Sequence, residues 1–180
     1  PAKIIQEHLK DTYEISYSTD VRGLKYLSSS NDKIIIIDTP KLNFNFYIPF
    51  KLIKIIFLIL QSIFYLKKEK IEKVISIGGY MSLPVIIASK ILGLKIFLLE
   101  PNLVLGQGNN FFLKFSKKII CYSNKLANFP KKYLHKIKLI NPLVSKSFYK
   151  VKKTKKLKKN FCFLISGGSQ GAKIFDELIK

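Results

Sequence analysis

Val74-Ile75-Ser76-Ile77-Gly78-Gly79-Tyr80-Met81-Ser82-Leu83-Pro84 decides how the rest of the chain reads. Its first four residues form a short apolar run typical of a buried strand. Two glycines interrupt it. The chain then takes up a helical pattern with Pro84 in its first turn, where a missing N–H is tolerated. A strand that enters a helix through glycines exposes backbone N–H groups at the positive end of the helix dipole, where a phosphate can sit. The same order returns later: Phe161-Cys162-Phe163-Leu164-Ile165 precedes Gly167-Gly168-Ser169-Gln170-Gly171-Ala172. Two such turns in successive α/β units point to a protein that handles phosphorylated ligands. The second helix has hardly begun when the sequence stops at Lys180.

On both sides of the first turn, apolar runs recur at spacings that leave room for crossover helices. Residues 1–10 read as a helix with Ile4, Ile5 and Leu9 on one side, and residues 13–17 alternate like a strand. Residues 33–38 form a continuous apolar run of the kind found in buried parallel strands. Residues 95–99, 118–122 and 137–140 repeat it. The predicted helix over 80–92 has Gly93 just past its end, the usual stop signal. The pattern is α/β, a Rossmann-like doubly wound parallel sheet. Residues 150–160 are lysine-rich and poor in apolar residues, and a new strand begins at Phe161. The expected organisation is a domain over 1–145, a basic linker over 146–160 and the start of a second domain over 161–180. The chain opens on Pro1 without Met or a signal-peptide pattern, and is expected to be a piece of a longer protein.

A hydrophobic share of 48 % excludes generic disorder. The net charge of +21 raises nucleic acid as a partner, but all except one of the 32 basic residues are lysine. Arginine is the preferred bidentate reader of phosphates and guanine, and only Arg22 is present, so nucleic acid is not an expected partner. The lysine excess divides between compositional drift and a membrane-facing role. Cys121 and Cys162 each sit in an apolar run with no partner at metal-ligand spacing, which reads as buried thiols in a reducing compartment. No metal and no cofactor is expected. His8 and His135 are isolated and read as surface or packing residues.

The stretch from Phe44 to Lys70 differs from the rest. Lys51, Lys54, Gln61, Ser62 and Lys68 fall on one narrow helical stripe and nearly everything else is apolar. The uninterrupted apolar run, residues 55–60, is well short of the about 20 residues a spanning helix needs. Two readings fit: an amphipathic helix in a membrane interface with lysines near anionic head groups, or a crossover helix packed on the sheet. They are compatible, because a helix can bury one edge and offer the other to lipid.

Taken in order, Thr19-Asp20-Val21-Arg22-Gly23, Ile77 to Pro84, Leu99-Glu100-Pro101-Asn102, Asn141-Pro142 and Gly167 to Ala172 resemble the N-acetylglucosaminyltransferases of peptidoglycan synthesis. The resemblance runs along the whole chain and covers about half of such an enzyme. It implies the GT-B architecture: an N-terminal domain for the lipid acceptor and a C-terminal domain for the sugar nucleotide. It implies inverting transfer of N-acetylglucosamine from UDP-N-acetylglucosamine to the undecaprenyl-diphosphate-linked muramoyl peptide, lipid I. It implies peripheral attachment, through Phe44–Lys70, to the cytoplasmic face of the bacterial inner membrane.

Carried over by position, Gly78, Gly79, Tyr80 and Asn102 match the acceptor side. Gly167, Gly168, Ser169, Gln170 and Gly171 match the donor diphosphate loop. The family's first glycine loop, with the histidine proposed as its base, lies upstream of Pro1, so no catalytic residue is assigned and the chain alone is expected to be inactive. Four positions depart from the family pattern: Leu99 stands for a His, Pro101 for a Gln, Ile140 for a Gly and Val144 for an Arg. Three other functions are open to this sequence. One is a GT-B enzyme acting on another membrane lipid, such as diacylglycerol. The second is a NAD-type Rossmann domain, which lacks its expected glycine fingerprint here. The third is a basic nucleic-acid-binding module, which a salt-dependent shift assay separates.

Overall fold

The computed structural model describes residues 1–25, 27, 33–41 and 48–150, all but the last within the first of two compact units, Pro1–Tyr149 and Lys150–Lys180. In chain order the elements are α1 (Ala2–Leu9), β1 (Ser16–Thr19), α2 (Val21–Leu24), β2 (Lys33–Ile36), α3 (Ile48–Lys68), β3 (Lys73–Ser76), α4 (Leu83–Ile91), β4 (Lys95–Glu100), α5 (Gln107–Phe112), β5 (Lys118–Cys121) and β6 (Ile137–Leu139). Every strand pairing among the described residues is parallel. Strands β1 and β2 pair with Ser16 opposite Lys33 and Thr19 opposite Ile36. Strands β3, β4, β5 and β6 form a second sheet in sequential order, with Ser76 opposite Leu98 and Glu100 opposite Cys121. Parallel neighbours require crossovers, so within each sheet the strands end on the same side, where open α/β sheets bind ligands.

The predicted strands at 33–38, 95–99, 118–122 and 137–140 appear within a residue or two of those bounds. The first strand does not. Residues 13–15 remain in the turn that leaves α1, with Tyr13 N–H bonded to the Leu9 carbonyl, and pairing begins only at Ser16. Of the alternating run 13–17 only Ser16 and Tyr17 lie in the strand, and the Tyr13 ring instead lies under the Lys73 ammonium, 4.5 Å from its centre. Helix α4 is entered through a 3₁₀ turn at Tyr80–Ser82, with Pro84 in its first turn and Gly93 at φ +69° past its end.

Two buried clusters hold the sheet. Ile86, Ile96, Leu98, Phe112, Leu113 and Ile119 form the first, joining α4 and α5 to the central strands. Ile37, Leu58 and Val85 form the second, joining β2's extension, α3 and α4, and Val74 packs against both. Each such side chain contributes about 1.5–3 kcal/mol by leaving water. Cys121 is fully buried in the first cluster, and burial, with the Glu100 charge nearby, pushes its thiol up to about 11. It is a packing residue, as its apolar run indicates; Cys162 lies outside the described residues. Residues 144–146 return to α1: His8 meets the Val144 carbonyl at 2.9 Å, and Glu7 accepts from the Ser145 hydroxyl and Lys146 N–H.

Helix α3 is 21 residues long, and by length and composition it could cross a membrane. It packs against α4 and buries Ile55, Leu58, Ser62 and Leu66. Here the expected polar stripe is wrong at one position: Ser62 is buried, and its hydroxyl is satisfied by the Leu58 carbonyl one turn back, at 2.7 Å. A small residue with an internally bonded hydroxyl reads as polar in the sequence yet packs as a small apolar one. Phe50, Ile53, Ile56, Phe57, Leu60 and Phe64 face outward, the two later phenylalanines 67 % and 71 % exposed.

Candidate functional site

Three segments meet at the carboxyl ends of the parallel strands. Thr19–Gly23 follows β1, Gly78–Ser82 follows β3, and Glu100–Asn102 follows β4. Between β1 and β3 runs a cleft of about 370 Å³, lined by residues of both strands and by Gly78, Gly79 and Met81 at its end.

The turn after β3 depends on its glycines. Gly78 and Gly79 both have φ +91°, and Gly79 has ψ 150°, a combination that L side chains avoid. They differ in surroundings. A Cβ on Gly78 would come within 3.1–3.2 Å of the Asn109 amide, whereas one on Gly79 would meet nothing within 4 Å. The turn is packed from beneath and open above. It is also pressed by α5, because a Cβ on Gly108 would lie 2.8 Å from the Gly79 nitrogen. Gly78 N–H donates to Ser76 Oγ at 3.2 Å, and Ser82 Oγ donates to the Gly78 carbonyl at 3.2 Å.

Below the turn lies a buried carboxylate. Glu100 is 2 % exposed at the last position of β4. Its Oε2 accepts from Gly106 N–H and Asn109 Nδ2, each at 2.9 Å, and its Oε1 accepts from the Asn102 side-chain and backbone N–H groups. A carboxylate buried this deeply needs such a set of donors. Asn109 also donates to the Leu99 carbonyl at 3.1 Å, and its Oδ1, buried beside Gly78, has no partner among the described residues. Glu100 thus ties the loop after β4, the start of α5 and the turn after β3 into one unit. Leu99, which stands where the family pattern has a His, is a core residue at 1 % exposure.

Above the turn, Arg22 reaches across. Its Nε donates to Asp20 at 2.6 Å, and its Nη2 donates to the Tyr80 hydroxyl at 3.0 Å and lies 3.3 Å from Met81 Sδ. Asp20 is buried and caps α2 by accepting from Gly23 N–H at 2.7 Å. Burial alone would raise its carboxyl, but the bonds from Arg22 and Gly23 outweigh it and hold it below the ordinary range.

The structure therefore brings Gly78, Gly79 and Tyr80 into one exposed turn and links Asn102 to them through Glu100 and Asn109. Gly167, Gly168, Ser169, Gln170 and Gly171 lie outside the described residues. Asn141 and Pro142 follow β6, where the preceding Ile140 N–H bonds the Cys121 carbonyl. Asn109, Gly106 and Gly108 were not singled out by sequence reasoning. The only signal for them is a run of glycine and asparagine shortly after a strand, which reads as loop.

Residues 1–121 match the glycosyltransferase family 28 N-terminal domain. A protein of Pelagibacter ubique is 45 % identical over the full chain, which covers 51 % of that protein. A protein of Rickettsia canadensis is 31 % identical over 97 % of the chain and 49 % of its own length. One of Streptococcus uberis is 30 % identical over 98 % of the chain and 52 % of its own length. All three are named UDP-N-acetylglucosamine–N-acetylmuramyl-(pentapeptide) pyrophosphoryl-undecaprenol N-acetylglucosamine transferase. The crystal structure of Acinetobacter baumannii MurG superposes with a TM-score of 0.70 at 23 % identity, over 97 % of the chain and 50 % of that structure. This last likeness shows the fold, the N-terminal half of a GT-B enzyme. The chain spans about half the length of the curated relatives it matches.

Proposed function

Because the chain belongs to glycosyltransferase family 28, we propose that it is the acceptor-side half of an enzyme that moves N-acetylglucosamine from UDP-N-acetylglucosamine to lipid I. The observation that carries this is the open glycine turn at the end of β3, inside a chain 45 % identical throughout to a relative named for that transfer. In this reading residues 1–145 receive the acceptor, 146–160 connect, and 161–180 begin the domain for the sugar nucleotide.

The chemistry follows from the exposed groups. The acceptor carries a diphosphate, and Gly78 and Gly79 let backbone come close to it while Tyr80 offers a phenol hydroxyl. Asn102 stands at the neighbouring strand end, oriented by Glu100. Gly167, Gly168 and Gly171 would hold the departing UDP diphosphate through N–H groups, helped by Ser169 and Gln170. An acceptor hydroxyl, deprotonated by a base outside this chain, attacks the anomeric carbon and inverts it as UDP leaves. The donors around the leaving diphosphate stabilise its growing charge, and the proposed chemistry asks for no metal or cofactor.

The acceptor's polyprenyl tail stays in the bilayer, so this domain works at a membrane. The outward face of α3, with Lys67 and Lys68 at its end, suits peripheral contact with the anionic cytoplasmic leaflet. Nucleic acid has no part in this function.

The test is transfer of radiolabelled N-acetylglucosamine to lipid I by the full-length protein that contains this chain. Product is expected from that protein and none from the 180-residue chain alone. Transfer to diacylglycerol but not to lipid I would replace the proposed acceptor with another membrane lipid. Product formed by the isolated chain would overturn the assignment of the base and the donor site to other parts of the protein.

A further inference from the structure

We infer that Arg22 is a positioning residue: it fixes the Tyr80 hydroxyl as a hydrogen-bond donor toward a phosphate oxygen of the acceptor. The inference rests on the proposed acceptor site and adds to it a group from a different sheet.

A guanidinium only donates. In the contact between Arg22 Nη2 and the Tyr80 hydroxyl, at 3.0 Å, the phenol oxygen must therefore accept. The phenol's own proton is left to point elsewhere, and a bond made to it is strengthened by the positive charge behind the oxygen. Tyr80 is 39 % exposed and stands next to Gly79, above which a side chain would find open space. A ligand at that open face meets a hydroxyl with its donor side free.

Arg22 can hold this pose because it is held itself. Asp20 is 4 % exposed and locked as the cap of α2, and its second oxygen takes Arg22 Nε at 2.6 Å. The guanidinium thus spans from a buried anchor after β1 to a phenol after β3, 58 positions along the chain. A second bond follows the same route: Thr39 Oγ1, buried beyond β2, donates to the Met81 carbonyl at 3.1 Å. A lysine ammonium has no planar fork with which to grip the carboxylate through one nitrogen and the phenol through another. Among 32 basic residues, this is the single arginine. Composition supplies positive charge everywhere in this chain, and fork geometry only here.

The experiment uses the full-length protein with Arg22→Met, Arg22→Lys, Tyr80→Phe and the Arg22→Met/Tyr80→Phe pair. Arg22→Met is expected to raise the KM for lipid I about tenfold, with kcat and the KM for UDP-N-acetylglucosamine within about twofold. Tyr80→Phe should do the same, and the pair should be no worse than the worse single variant, because both remove one interaction. Arg22→Lys should recover little of the loss. An unchanged acceptor KM in Arg22→Met, multiplicative effects in the pair, or full recovery by lysine would each overturn the inference. A purely structural role would move the donor KM and the melting temperature as well.

Binding of inorganic pyrophosphate to the same proteins, by calorimetry, separates this inference from the proposed reaction. If the wild type transfers nothing to lipid I, the reaction is wrong, yet about tenfold weaker pyrophosphate binding by both single variants still supports the Arg22 role. Equal binding by wild type and variants, or none by the wild type, overturns it. Should Arg22→Met fail to fold, Tyr80→Phe leaves the fold's anchor at Asp20 intact and decides alone: an unchanged acceptor KM there removes the hydroxyl from the site.

Discussion

Helices α3 and α4 pack on each other and draw on nearly the same apolar residues, yet one is buried and the other largely bare. In α4, Pro84, Val85, Ile86, Ala88 and Ser89 are all buried within nine residues. In α3, four of 21 are. Each helix carries one serine at the packed face whose hydroxyl bonds the carbonyl four residues back, at 2.7 Å: Ser89 to Val85 and Ser62 to Leu58. The difference is in neighbours. α4 meets β3, β4 and α3. α3 meets α4 and, through Leu58, Ile37 at the end of β2, and leaves most of its remaining surface exposed. Hydrophobicity in α4 holds the fold together. Most of the hydrophobicity in α3 does not, and is available to another surface.

The strongest test of that contrast is a pair of matched truncations. Ile86→Ala in α4 is expected to cost about 2–5 kcal/mol in denaturant unfolding, from lost burial plus a cavity. Phe57→Ser with Phe64→Ser in α3 should change stability by no more than about 0.5 kcal/mol. A comparable loss from the α3 pair would mean that its outer face is packed in the folded protein, and the contrast would fall.

The same α3 pair should weaken co-sedimentation with anionic vesicles by about 2–4 kcal/mol of partitioning, provided circular dichroism shows the fold unchanged. Binding left intact by these substitutions would make α3 an ordinary crossover helix. A smaller effect belongs to the lysines at its end. Lys67→Gln with Lys68→Gln should lower binding by about 1 kcal/mol per charge at low salt, and by less as salt is raised. A loss independent of salt would assign those side chains to packing rather than to charge.

The smallest expected effect lies where α3 stops. Lys70 has φ +50°, and the Ile71 N–H closes the helix on the Leu66 carbonyl at 2.9 Å. A left-handed cap suits glycine, so Lys70→Gly should stabilise by about 0.5–1 kcal/mol, after the entropy glycine loses is subtracted. Thermal unfolding reads this directly. Destabilisation would show that the Lys70 side chain contributes more than its backbone conformation costs.

Much of this was legible because it rests on local rules. Apolar runs of four to six residues gave the parallel strands, and Gly78-Gly79 announced a turn that only glycine can make. Pro84 and Gly93 marked the two ends of α4. Where the reading went wrong, local pattern competed with surroundings. Residues 13–15 alternate as a strand would, but have no neighbour to pair with. Ser62 reads as a solvent-facing position, but its hydroxyl is satisfied within its own helix. The α5 segment was invisible because Gln107-Gly108-Asn109-Asn110 carries low helix propensity, and packing against Gly79 overrides it.

The sequence by itself determined the class of fold, the family and the open glycine turn, because strand period, proline, glycine and short motifs act over a few residues. Tertiary structure alone decided the rest. Glu100 is an exposed-type residue until four N–H donors from three places enclose it. Arg22 is one charge among many until folding sets it between Asp20 and a tyrosine from another sheet. The apolar face of α3 becomes a surface because α4 and the end of β2 cover only its other side. Burial and hydrogen bonding between distant residues depend on which partners the topology brings within about 3 Å, and no local pattern encodes that.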